Sequence, residues 1–168
     1  NLKILVLEKS DRVGGRIKTD NVDGFLLDHG FQVYLTAYPE GQKLLNYDEL
    51  NFKKFYSGAL CYNQTKKFTV TDTARHKMAI SPVGGFMDKI RLGNLSAQLK
   101  SSGVQDIFER PEYETMAYLK QKGYSKTIIN RFFKPFYGGI FLDDELETSS
   151  RMFEFVFKMF AEGDAALP

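Results

Sequence analysis

One stretch near the start of the chain constrains the fold most: Leu2-Lys3-Ile4-Leu5-Val6-Leu7-Glu8-Lys9-Ser10-Asp11-Arg12-Val13-Gly14-Gly15-Arg16. An apolar run leads into a single carboxylate, and a short polar turn then delivers two glycines and an arginine. Ile4 to Leu7 are four consecutive apolar, branched residues. Such a run predicts a short strand buried on both faces of a parallel sheet rather than a half-exposed one. Glu8 then falls at the carboxyl end of that strand, where open α/β sheets bind ligands and where an acid accepts hydrogen bonds from ribose hydroxyls. Gly14 and Gly15 let backbone N–H groups approach a phosphate, and Arg16 adds charge to the same end of the ligand. A dinucleotide fold also needs a glycine-rich turn about 20 residues before the ribose acid. Only seven residues precede Glu8. The expectation is therefore an internal piece of a longer protein, with the first strand, phosphate loop and first helix upstream. The same residues also suit a strand end followed by a flexible turn that binds nothing.

The longer run Val6-Leu7-Glu8-Lys9-Ser10-Asp11-Arg12-Val13-Gly14-Gly15-Arg16-Ile17-Lys18-Thr19 resembles the second-strand signature of the flavin-dependent amine oxidase and phytoene desaturase superfamily. The resemblance rests on the hydrophobic run, the acid, the Arg-Val-Gly-Gly-Arg core and the threonine that follows. It implies that Glu8 holds the adenosine ribose of FAD and that the Gly-Gly-Arg turn passes close to the cofactor. It also implies that Asp28-His29-Gly30-Phe31-Gln32 bring backbone close to the flavin ring, with Gly30 permitting the approach and Gln32 offering a side-chain amide. The implied cofactor-binding set is Glu8, Arg12, Gly14, Gly15, Arg16, Asp28, His29, Gly30, Phe31 and Gln32.

Composition narrows the function classes. A formal charge of +2 over 168 residues, with no long basic run, gives no footprint for nucleic acid. The single cysteine, Cys61, excludes an internal disulfide framework and fits a reducing compartment. It lies in an apolar, strand-like segment that suggests packing rather than a reactive thiol. No segment approaches the ~18 apolar residues of a membrane span, and no signal peptide is visible. A cytoplasmic location is expected, with peripheral membrane contact left open. The two histidines, His29 and His76, form no Cys/His spacing that would suggest zinc. His29 reads as a packing or hydrogen-bonding residue of its turn rather than a base.

Along the chain, Ile17–Thr19 and Phe25–Asp28 predict a hairpin around a polar turn at Asp20–Gly24. Thr36–Leu45 suits a short helix with Pro39 in its first turn and Leu44 and Leu45 on its apolar face. The chain is expected to leave the nucleotide domain after Asn51. Gly58–Tyr62 and Phe68–Thr71 form a second hairpin around Asn63–Lys67. Helical patterns follow. Ser81-Pro82 opens a helix carrying Met87, Ile90, Leu92, Leu95 and Leu99, weakened by Gly93 and stopped at Ser102-Gly103. A second helix covers 112–122 and ends at Gly123. Ser125 caps a third, with Ile128, Ile129, Phe132 and Phe133 buried and Pro135 near its end.

The end of the chain is crowded with phenylalanines, of which the whole sequence has 15. Met152–Ala161 reads as a strongly apolar helix on which Arg151, Glu154, Lys158 and Glu162 make one narrow polar stripe, with Glu154 and Lys158 able to pair. The rest of its circumference must be covered. Three covers fit the pattern: an aromatic core, an apolar substrate cavity, or a membrane surface. Asn130–Leu142 and Phe160–Pro168 also resemble segments of phytoene-desaturase-like oxidoreductases, in which a substrate domain is inserted between nucleotide-binding segments. That resemblance implies α/β architecture, α+β within these residues. Residues 1–51 would be part of a Rossmann-like FAD-binding domain, and 52–168 a largely helical substrate domain. The implied reaction moves hydride from a C–H bond of a hydrophobic substrate, polyene, amine or porphyrinogen, to FAD, with reoxidation by oxygen, a quinone or another acceptor. The parent protein is expected to be the enzyme and these residues alone to be inactive. The rival reading is a non-catalytic module that holds a hydrophobic ligand or partner through its aromatic helices. Catalytic residues and oligomeric state are not legible.

Overall fold

Small antiparallel sheets surround a helical core in the computed structural model, which describes residues 2–15, 17–30, 33–56, 58–63, 66–71 and 81–167. The fold is mixed α+β. Its first ordered unit is a hairpin of β1 (Thr19–Val22) and β2 (Phe25–Asp28), in register from Thr19 opposite Asp28 to Val22 opposite Phe25. Asp23 and Gly24 both have positive φ, 53° and 87°. Two such residues make the tight turn whose twist matches the strands. The turn is therefore shorter than the predicted Asp20–Gly24, and Asp20, Asn21 and Val22 join the ladder instead.

The run Leu2–Leu7 departs from expectation. It forms no strand, and its side chains are exposed, Leu5 to 82%. A strand is held by ladder hydrogen bonds to a neighbour, and no described residue pairs with this run.

Next comes a three-stranded sheet assembled from distant parts of the chain. β3 (Tyr34–Leu35) and β4 (Lys53–Lys54) both pair antiparallel with β7 (Ala165–Leu167), which lies between them. Between β3 and β4 run two short helices, α1 (Pro39–Leu44) and α2 (Tyr47–Leu50). Pro39 sits in the first turn of α1 as anticipated. Leu44 and Leu45 are exposed, however, rather than forming a buried face. A helix of under two turns has too short a stripe to bury, and aromatic rings hold this segment instead. Tyr34 stacks on Phe52 at 5.1 Å between centroids and meets Tyr38 and Tyr47 edge-on. Its hydroxyl lies 2.9 Å from that of Tyr47. Burial, and then that contact, push the Tyr34 pKa up to about 12.

The second hairpin, β5 (Ala59–Asn63) with β6 (Lys66–Val70), forms as predicted. Its turn residues Gln64 and Thr65 lie outside the described residues. Val70 is buried in the main core, with Cys61 and Phe68 half-buried against it. Burial pushes the Cys61 thiol pKa up, as suits a packing role.

The core itself is helical. α3 (Phe86–Ser101) begins at Gly85, not at Ser81-Pro82, because the Gly85 N–H donates to Asp88 Oδ2 at 2.9 Å and caps the helix there. Leu95 and Leu99 are buried, whereas Met87 and Ile90 are exposed. The Ser102-Gly103 stop is real, but Gly103 also caps an unanticipated helix, α4 (Val104–Glu109), by donating to Asp106 Oδ2 at 2.8 Å. α5 (Thr115–Gln121) ends before Gly123, whose φ is +78°. The Ser125 hydroxyl accepts the Ile128 N–H and starts α6 (Lys126–Ile128).

That helix does not stop at Pro135. It passes through a π-helical turn, Ile129–Phe133, into α7 (Lys134–Phe141). The Lys134 N–H reaches back to the Ile129 carbonyl, five residues away. The widened turn gives the proline ring room that an α-turn would deny it.

The last helix, α8 (Ser150–Glu162), packs against α3, α4 and α5. Phe153 is fully buried on it, in ring contact with Tyr118, Phe133, Tyr137 and Phe157. The middle of its polar stripe does not face solvent: Glu154 is 3% exposed and Lys158 6%. Nor do these two pair. Glu154 accepts from Arg110 Nη1 at 2.6 Å and from the Tyr118 hydroxyl at 2.5 Å. Lys158 Nζ donates to the Leu99 carbonyl at 3.1 Å and to Glu162 Oε1, so its charge sits at the C-terminus of α3, where the helix dipole favours a cation. The stripe is narrow because it is a buried seam between helices. Of the three expected covers for α8, its own aromatic core and neighbouring helices supply most.

Candidate functional site

The residues expected to bind the cofactor lie on two connected stretches, the turn 8–15 and the base of the first hairpin. Arg16, Phe31 and Gln32 fall outside the described residues. In the turn, Glu8 Oε1 accepts from both the backbone N–H and the hydroxyl of Ser10, each at 2.8 Å. The Ser10 N–H and then its hydroxyl hold the Glu8 carboxyl below its ordinary pKa. The Lys9 N–H lowers it further, and the side chain is exposed. Gly14 and Gly15 both have positive φ, 116° and 59°, the region that favours glycine. The Gly14 carbonyl accepts from the Ile17 N–H at 3.0 Å, and no atom lies near a Cβ built on Gly15.

Arg12 ties this turn to the hairpin, its Nη2 donating to the Thr19 carbonyl at 3.3 Å. The Thr19 hydroxyl in turn donates to Asp28 Oδ1 across the strand pair. His29 is anchored twice. Its N–H donates to the Lys18 carbonyl at 2.7 Å, and its Nε2 lies 2.5 Å from Asp20 Oδ2. That imidazole contact lowers the Asp20 carboxyl below its ordinary pKa. Gly30 follows at a bend.

The structure thus brings together Arg12, Asp28 and His29, and leaves Glu8, Gly14 and Gly15 on an open turn beside them. The supporting residues are Thr19, which the sequence signature includes without a stated role, and Asp20, which sequence reasoning passed over. Assigning Asp20 to a turn hid its register. Once Asp23-Gly24 alone is taken as the loop, Thr19 falls opposite Asp28, and Asp20 opposite Leu27, two residues before His29.

The donor set suits an uncharged, hydroxyl-bearing ligand at Glu8. An exposed carboxylate accepts ribose hydroxyls, and a positive-φ diglycine turn leaves backbone N–H groups open to an anion. Among the described residues, no cluster of His, Cys, Asp and Glu is arranged to hold a metal ion. No helix among them is long and apolar enough to cross a membrane.

An open turn, a hydrogen-bonded hairpin and an aromatic-rich helical body define an α+β protein with an acidic acceptor beside glycines. The family model of the flavin containing amine oxidoreductases matches residues 1–168. The chain belongs to that family, which is one of flavin-dependent oxidoreductases. No curated protein and no solved structure matches it.

Proposed function

We propose that this chain belongs to an FAD-dependent oxidoreductase that removes hydride from a C–H bond of a hydrophobic substrate. The observation that carries this reading is the family match over residues 1–168, joined to the exposed carboxylate of Glu8. In this reading residues 1–51 are part of a Rossmann-like FAD-binding domain and 52–168 its substrate domain. Ile4–Leu7 then serve as a strand of that domain's sheet, which accounts for four branched side chains left in the open.

Glu8 accepts the ribose hydroxyls, Gly14 and Gly15 offer N–H groups to the phosphates, and Arg12 braces the turn against Thr19. Asp28, His29 and Gly30 stand beside the ring, with His29 fixed by Asp20. Bound flavin supplies the hydride acceptor. The chain's own share is orientation and exclusion of water. For the latter, two clusters of rings form on α8: half-buried Phe155 and Tyr38 with the exposed Phe108, and half-buried Phe132, Phe136 and Phe160. Such walls favour a large apolar substrate over a small polar amine.

The test is flavin retention by the protein that carries this chain. Glu8→Ala removes charge-assisted hydrogen bonds worth about 1.5–3 kcal/mol each and should weaken retention about tenfold or more after exhaustive dialysis, read by visible flavin absorbance. Unchanged occupancy removes Glu8 from the site. A wild-type protein that never takes up flavin favours the non-catalytic module instead.

A further inference from the structure

A cavity of about 390 Å³ opens between α3, α5, the loop after α4 and the start of α8. Its volume lies within the range of small-molecule sites. Its lining mixes polar and apolar surface, and it includes Arg110, Lys122 and Arg151 against the single carboxylate of Glu154. Three cations against one anion give it a net charge of +2.

The floor is rigid. Glu154 is held by Arg110 and Tyr118, and the buried Ser150 hydroxyl accepts the Tyr113 N–H at 3.1 Å. Arg151 is braced by donating from Nε to the Arg110 carbonyl at 2.7 Å. Its Nη1 reaches only a loose contact of 3.8 Å with the half-exposed Glu112. Arg110 therefore neutralises Glu154, and the charge left over belongs to Arg151 and Lys122.

Lys122 has no carboxylate partner among the described residues. Its ammonium stands 5.3 Å from the centroid of the Tyr118 ring, which steers it over the cavity wall. The side-chain amides of Gln98 and Gln121, also in the lining, make no hydrogen bond with described residues. An unpaired ammonium, a braced guanidinium with a free edge and two uncommitted amides converge on one space.

We propose that this cavity binds a small organic anion, its carboxylate or phosphate held by Lys122 and Arg151 and its body lying against Tyr113 and Pro111. The site is independent of the flavin reading and requires no cofactor. A charge-assisted contact from each cation supplies the affinity, and the fixed floor lowers the ordering cost.

Isothermal titration calorimetry of the protein with inorganic phosphate and, separately, with succinate tests this, against sodium chloride at matched ionic strength. Saturable binding of either anion at millimolar concentration is expected, and the better one tells a phosphorylated from a carboxylated ligand. Lys122→Glu, at an exposed position, should weaken it about tenfold or more, while Lys122→Arg retains it. Gln98→Glu, exposed on α3, provides a second reading should the first variant not fold. No saturable heat with either anion, or wild-type binding in the charge-reversed variants, overturns the proposal.

Discussion

Replacing Arg110 by Met tests the buried seam on α8 directly. Glu154 lies with its side chain 4% exposed, and Arg110 with its side chain 24% exposed, at 2.6 Å. Arg110→Met leaves the carboxylate buried with the Tyr118 hydroxyl as its remaining partner. Removing one member of a buried pair costs about 3–5 kcal/mol. The quarter exposure of Arg110 lets water reach the orphaned oxygen, so the lower end applies, about 3 kcal/mol. At roughly 2–4 °C per kcal/mol for a chain of this size, the midpoint falls by about 6–12 °C. Replacing both, Arg110→Met with Glu154→Met, removes the stranded charge, and the pair of changes should come within about 1 kcal/mol of wild type. The assay is urea unfolding of the four proteins followed by far-UV circular dichroism, with the coupling energy taken from the cycle. A cost below about 1 kcal/mol for Arg110→Met, or a double variant that merely sums the singles, refutes the reasoning.

Asp88 supplies a pH prediction. Burial raises its pKa, but the hydroxyl and N–H of Ser125 and the N–H of Gly85 outweigh that and leave it below the ordinary 3.8. Its contribution is therefore complete above pH 3.8 and is lost as pH falls below that value through the folded pKa; Asp88→Asn should flatten this acid limb in urea unfolding at stepped pH, and an unaltered slope counts against it. Gly163 lies against backbone, since an added Cβ would come within 2.5 Å of the Ala37 nitrogen. Gly163→Ala should cost about 1–3 kcal/mol by calorimetry, whereas Gly93→Ala, with open space around it inside α3, should gain up to about 1 kcal/mol.

Local signals were legible where they were self-sufficient. Pro39, Ser125 and the β-prone runs of the second hairpin each favour their own backbone, so these elements fall where the sequence puts them, although Asn63, Lys66 and Lys67 join the ladder rather than the turn. Three other features depended on contacts that the local pattern does not show. Leu44 and Leu45 stay exposed because Tyr34, Tyr47 and Phe52 meet one another instead. The α8 stripe was mistaken for a wet face because pairing at i,i+4 is visible in sequence, whereas Arg110, 44 residues before Glu154, is not. Pro135 was read as a terminator because a π-turn leaves no sequence mark. Of the candidate site, Glu8 and the diglycine turn stood out by motif. Thr19 belonged to the motif as well, but its bond to Asp28, like the role of Asp20, appears only once the hairpin register is known.

The central place of β7 carries a kinetic consequence. β3 and β4 make no ladder with each other; each pairs only with residues 165–167. Tyr34 and Ala166 must meet across almost the whole intervening chain, and closing such a loop is slow unless intervening structure shortens it. The helical body, rich in near-neighbour contacts, can condense first and carry α8 to its place. During synthesis the segment from Tyr34 to Lys54 would then wait for its strand partner until translation has passed Leu167, and a ribosome stalled before that point should leave it open to protease while the helices are already protected.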